Sequence, residues 1–259
     1  MNTYSKWISA FALTAIAGVA AAAPITATTV SSLWHDSTGQ AGANIVENVS
    51  FGRGNAGDVG DGEGFNQARW GRPFASATGG RSGLGFKSKA PVAGIVLETP
   101  FDLGTLRHYN WTIAGGSFGT GSQLDIGVSL NVDGSAQGPY SFTSAFAVDE
   151  TPNNSNPCPY PSPPNLCADK ISFANVGTAD IFTINGIEYT LKILGFGSTP
   201  NSLADSFISQ EGGISDAELW AVITAVNPPG PVPEPAPLAL LALGLIGLGW
   251  SKRRNSKSN

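Results

Sequence analysis

Through the middle of the chain, apolar residues recur at every second position more often than at every third or fourth. A period of two marks a strand with one buried face, whereas a period near 3.6 marks an amphipathic helix. The clearest case is residues 123–132, Gln-Leu-Asp-Ile-Gly-Val-Ser-Leu-Asn-Val, which run into the turn pair Asp133-Gly134. Residues 181–184 and 187–194 flank Asn185-Gly186, a dipeptide that accepts the positive φ angles of a two-residue type I′ turn, so they predict a hairpin. Further strands are expected over residues 43–51, 92–98, 102–113 and 218–226, with Pro100 separating the second from the third. Thirty-three glycines and 18 prolines supply turn sites between these runs. Roughly ten strands with turns every 8 to 12 residues or so predict an all-β fold, a single antiparallel β-sandwich or jelly-roll-like domain.

Two end segments break this pattern. Near the start, Lys6 precedes an apolar run from Trp7 to Val19, and the small residues Ala20 to Ala23 follow. A charged start, a short apolar core and an Ala-x-Ala site describe a secretory signal peptide over residues 1–23, removed by signal peptidase after Ala22. Near the end, residues 238–250 carry no charge, and Lys252, Arg253, Arg254 and Lys257 come after them. At 1.5 Å per residue this helix would cover about 20 Å of a hydrocarbon core about 30 Å thick, a short transmembrane helix. Its trailing cations would stay on the cytoplasmic side and place the domain outside. The expected organisation is therefore a signal peptide at 1–23 and a β-sandwich domain at 24–226. A Pro-rich linker follows at 227–237, and a membrane helix with its basic tail at 238–259.

Charge narrows the partners. With the basic residues of both ends set aside, residues 24–233 hold nine lysines and arginines against 18 aspartates and glutamates. So acidic a domain repels phosphate backbones, which argues against nucleic acid. Cys158 and Cys167 enclose a Pro-rich stretch, and in an exported chain such a close, isolated pair reads as a disulfide clipping one loop. Two cysteines do not make a zinc site without further ligands, and His35 and His108 are the chain's two histidines.

Val232-Pro233-Glu234-Pro235, then the apolar run, then the basic cluster, resembles the PEP-CTERM sorting signal. The resemblance implies an exosortase partner, a membrane protease-transpeptidase of Gram-negative bacteria that also make exopolysaccharide. It further implies transient membrane anchoring through the tail, cleavage near Pro233-Glu234-Pro235, and delivery to the outer surface or extracellular matrix. Residues 101–113, Phe-Asp-Leu-Gly-Thr-Leu-Arg-His-Tyr-Asn-Trp-Thr-Ile, resemble the signature of the THxN family of PEP-CTERM proteins. Two further stretches, residues 66–73 and 189–196, agree with it. His108 and Asn110 match the name motif, while Arg107 stands where the family has threonine. The resemblance implies no established activity.

On a strand, His108 and Asn110 share a face, with Arg107, Tyr109 and Trp111 on the other. The leading expectation is that His108 and Asn110 form a buried hydrogen-bonded pair with a structural role. The alternative is a carbohydrate- or calcium-binding, lectin-like module, with Tyr109 and Trp111 as an aromatic platform for sugar rings. Asn55, Asp58, Asp61 and Glu63 in the glycine-rich stretch 54–64 are its candidate calcium ligands, although their spacing misses the Asp-x-Asp-x-Asp-Gly pattern. No Gly-x-Ser-x-Gly elbow is present, and an oxidised cysteine pair offers no nucleophile. The expectation is thus a surface or matrix protein without enzymatic activity and without a cofactor, calcium aside.

Overall fold

A computed structural model describes residues 25–49, 63–73, 80–153, 155–163, 166–175, 180–184 and 186–226. The signal peptide, most of the glycine-rich stretch, the PEP motif and the tail helix lie outside them. The described chain is all-β. Its strands are β1 (Ile25–Gly39), β2 (Val46–Val49), β3 (Asn66–Trp70), β4 (Ser82–Ser88), β5 (Val92–Ile95), β6 (Phe101–Asn110) and β7 (Gly119–Val132). They continue with β8 (Ser135–Asp149), β9 (Asp169–Asn175), β10 (Phe182–Ile184), β11 (Ile187–Phe196), β12 (Ser206–Ser209) and β13 (Gly213–Ala225).

These strands form two antiparallel sheets stacked as a sandwich. One has the order β12-β9-β8-β7-β1-β5, the other β10-β11-β13-β6-β4-β3-β2. The alternation in β7 faces Leu124, Ile126, Val128 and Leu130 into the core, against Leu84, Leu106, Leu191 and Leu219 among the residues of the opposite sheet. Turn chemistry sets the register of β7 with β8. Asp133 and Gly134 take φ of 50° and 82°, and Val132 pairs with Ser135 across them. Likewise Gly186, at φ 80°, sits in the turn where Ile184 pairs with Ile187.

β6 is buried on both faces. On its inner side Leu106, His108 and Asn110 point toward the opposite sheet. On its outer side Arg107 and Tyr109 lie in a stack rather than in solvent. The Arg69 guanidinium sits 3.8 Å from the Tyr109 ring centre and that of Arg107 4.0 Å from the Phe65 ring centre. Glycine makes the room: Gly83 and Gly85 of β4 pair with Tyr109 and Arg107. A Cβ on Gly83 would meet the Ala68 carbonyl oxygen at 2.3 Å and Arg69 Cδ at 2.6 Å.

Candidate functional site

At the far end of β6, three connections converge. The β8–β9 connection carries Glu150 directly after β8 and delivers Asp169 as the first residue of β9. The β12–β13 turn carries Glu211. His108, two residues from the end of β6, completes the group. One side-chain ligand atom from each of His108, Glu150 and Asp169 lies within 4.8 Å of the other two.

Neighbouring groups hold the acids in place. Trp70 Nε1 donates to Glu150 Oε1 at 2.8 Å, and the Thr151 amide donates to Asp169 Oδ1 at 2.7 Å. Thr112 Oγ1 donates to Glu211 Oε1 at 2.7 Å. The Glu150 carboxyl is a close neighbour of Asp169, whose Oδ2 is buried without a hydrogen-bond partner, and two carboxyl groups bond each other only when a proton lies between them. Burial raises the pKa of all three acids. For Asp169 the neighbouring Glu150 adds to the effect of burial, and for Glu150 the neighbouring charge of Glu211 does so.

His108 differs from the acids. Its side chain has no exposed surface, and neither ring nitrogen has a hydrogen-bond partner. Burial first, and the Arg69 guanidinium second, push its pKa down to about 3, so the ring is neutral and presents a lone pair. The Trp70 ring packs beside it at 6.4 Å between centres. A neutral imidazole and two carboxyls at this spacing are donors of the type that hold a metal ion.

These positions revise several expectations. His108 and Asn110 are both buried on one face, but they do not bond each other. Asn110 Nδ2 donates instead to the Ser209 carbonyl at 3.0 Å. The strand spacing puts both residues inside, and the carbonyl beside Asn110 belongs to the incoming β12. Tyr109 is no sugar platform, because it is fully buried beneath Arg69. Trp111 is half-buried, and its ring nitrogen is inaccessible. Of the candidate calcium ligands, Asn55, Asp58 and Asp61 lie outside the described residues. Glu63 is ion-paired with Arg107, whose guanidinium also forks onto Asp216 at 2.6 and 2.7 Å. A carboxylate already neutralised by arginine is a poor cation ligand. Arg107, at the threonine position of the motif, thus serves the outer stack.

Outside the described domain, residues 231–254 match the PEP-CTERM protein-sorting motif. The tail resembles a PEP-CTERM sorting signal. A PEP-CTERM tail implies export and a membrane-anchored sorting signal read by an exosortase. The described domain is consistent with that route, since Cys158 and Cys167 are disulfide-bonded with their Cα atoms 5.2 Å apart. The clip lies within the β8–β9 connection, between Glu150 and Asp169. Comparison with curated proteins gives no match.

Glu150, Asp169 and Glu211 were not visible as site residues in the sequence. Glu150 and Asp169 stand at strand ends far from His108 along the chain, and only the stacking of the sheets joins them. The disulfide between them was the available signal, because a clip in a long connection marks a connection that has to hold its shape.

Proposed function

We propose that this chain is a non-enzymatic protein of the cell surface or extracellular matrix of a Gram-negative bacterium, of the THxN kind. In this reading signal peptidase removes residues 1–23 and the exosortase trims the tail near Pro233-Glu234-Pro235. The domain is then left in the neighbourhood of exopolysaccharide. The observation that carries the proposal is the sorting motif at residues 231–254. The short apolar run supports it, since a span below about 20 residues holds a bilayer weakly and suits a transient anchor. The use of the motif residues supports it too. His108 and Asn110 are buried inside the sandwich, where they can shape the domain and cannot meet a large external substrate.

The lectin-like alternative loses one of its two aromatic contacts, because Tyr109 is buried. Terminal peptide mapping of protein recovered from the surface of a host with a working exosortase tests the proposal. The expected mature chain starts near Ala23 and stops near Pro235. Surface protein that still carries Lys252-Arg253-Arg254 would refute the sorting step.

A further inference from the structure

We propose that His108, Glu150 and Asp169 form a buried site for a divalent cation of the zinc class, which ties the β8–β9 connection to the end of β6. Three lines of argument meet here.

The first is geometric. Three atoms each within 4.8 Å of the other two all lie within about 2.8 Å of a common point. Zinc–nitrogen and zinc–oxygen bonds are about 2.0 to 2.2 Å, so each ligand needs to move inward by less than about 1 Å. Side-chain torsions can supply that, with Glu150 in the connection after β8 and Asp169 at the very start of β9.

The second is the imidazole. A histidine with no exposed surface and two unpartnered nitrogens is costly to keep, and buried polar groups are nearly always satisfied. A proton shared by Glu150 and Asp169 would satisfy the two acids and still leave the ring without a partner. A metal ion engages all three at once, through the ring's lone pair and an oxygen of each acid. The ring also selects the ion: calcium and magnesium call for six or more oxygens, whereas zinc accepts imidazole with carboxylates in a four-coordinate set. The half-buried Glu211, whose charge acts on both other acids, stands nearby as a further negative group.

The third is the surrounding shell. Metal-binding carboxylates are normally oriented by hydrogen bonds from a second layer. Trp70 Nε1 on Glu150 and the Thr151 amide on Asp169 have that form, and each leaves a second carboxylate oxygen. None of its residues comes from the stretch 54–64, and it does not depend on the sorting reading.

The test uses the full chain, exported and purified without chelator, then stripped and titrated with zinc, manganese or calcium. Metal analysis should find about one zinc per chain before stripping. Zinc at about 100 times its dissociation constant should raise the melting temperature by roughly 5 to 10 °C. Asp169→Asn and His108→Ala should each weaken zinc binding at least about tenfold. Because these variants could fail to fold, imidazole nitrogen NMR of the unaltered protein gives an independent readout. The chain has two histidines, and zinc should move the His108 signals and leave those of His35 in place. The proposal is overturned if stripped, folded protein shows no response to zinc, or if zinc moves His35 alone. A response to calcium with His108 unmoved, or unchanged zinc affinity in folded His108→Ala, overturns it as well.

Discussion

Replacing His108 with leucine should change the stability of the domain in opposite directions with and without zinc. In the metal-free chain the imidazole is fully buried and neither nitrogen is bonded. Leaving a buried polar group unsatisfied costs about 1 to 3 kcal/mol, and leucine removes that cost. Leucine is similar in volume but not in shape, and in a packed core such a swap costs up to about 1.5 kcal/mol. Its neighbours suit it, since Leu84 is the paired residue on β4 and the Trp70 ring lies alongside. The net expectation is a metal-free variant more stable than the parent by about 1 kcal/mol. For a domain of this size that is a rise of roughly 2 to 4 °C in melting temperature. With zinc at about 100 times its dissociation constant the parent gains about 2.7 kcal/mol and the variant gains little, so the order reverses. Calorimetry of both proteins in chelator and in zinc reads all four states. A variant that melts well below the parent in chelator would refute the reasoning, because it would show that His108 has a stabilising partner without any metal. So would a variant that responds to zinc as fully as the parent.

Three further perturbations probe the frame around the site. Cys158→Ser opens the clip in the β8–β9 connection; for a loop this short the chain-entropy estimate is a little under 3 kcal/mol, so chemical denaturation should show a weaker domain that still folds. Gly119→Ala puts a methyl group where Trp70 Cδ2 would lie 2.3 Å away, and displacing that ring should cost about 1 to 3 kcal/mol and free Glu150 from its indole donor; an unchanged melting temperature would show that Trp70 is not held as described. For His35 partial burial lowers the pKa, but Asp36 and Asp125, at 3.0 and 3.2 Å, outweigh it and raise it. A raised histidine pKa contributes stability that is complete below about 6.5 and fades as pH climbs through the folded value. Since the pair is partly exposed, the parent should lose at most about 0.5 kcal/mol relative to His35→Gln between pH 6 and pH 8, and a difference of opposite sign would contradict the pairing.

Local turn chemistry was the most readable part of the fold. Asn185-Gly186 and Asp133-Gly134 announced their hairpins because a two-residue turn with positive φ needs those residues and little else. Two of the longest strands, β1 and β8, were not announced. In β1 seven of 15 residues are serine or threonine, and bulges after Ala27 and His35 interrupt the period of two. What alternation remains rests on Ile25, Ala27 and Trp34. In β8 Pro139 argues against a strand, yet the chain takes it at an irregularity opposite residues 128–130, with Gly138 at φ 92°. Strand boundaries moved in both directions: 123–132 became Gly119–Val132 and 218–226 became Gly213–Ala225, while 92–98 shortened to Val92–Ile95. Of the expected strand at 43–51, residues 50 and 51 lie outside the described residues and the strand begins at Val46, where Asn48 turns to φ 56° and its side chain pairs with the Trp34 backbone of β1.

The site was legible by half, and the half that was hidden explains its form. Period two placed His108 and Asn110 on one face, and Thr112 just beyond β6 continues their line. Each of the three meets a different part of the chain. Asn110 bonds the Ser209 carbonyl and accepts from the Gly212 amide through its own carbonyl, so it ties the β12–β13 turn. Thr112 bonds Glu211 of that same turn. His108 faces the other connection, β8–β9, and makes no hydrogen bond to it. That connection carries a disulfide and the Thr151 amide that bonds Asp169, and Trp70 of β3 bonds its Glu150, so its conformation is held without β6. What it lacks is a bond from its acids to β6. One turn is thus fastened to β6 directly. The other is brought within 4.8 Å with a lone pair on one side and carboxyl oxygens on the other. Like acceptors do not hold each other, and an interior that places them together needs a cation or a proton between them. A proton can join the two acids, but the neutral ring has no share in that bond. A cation held by the ring's lone pair and the two acids would join β6 to the β8–β9 connection as the hydrogen bonds of Asn110 and Thr112 join it to the β12–β13 turn.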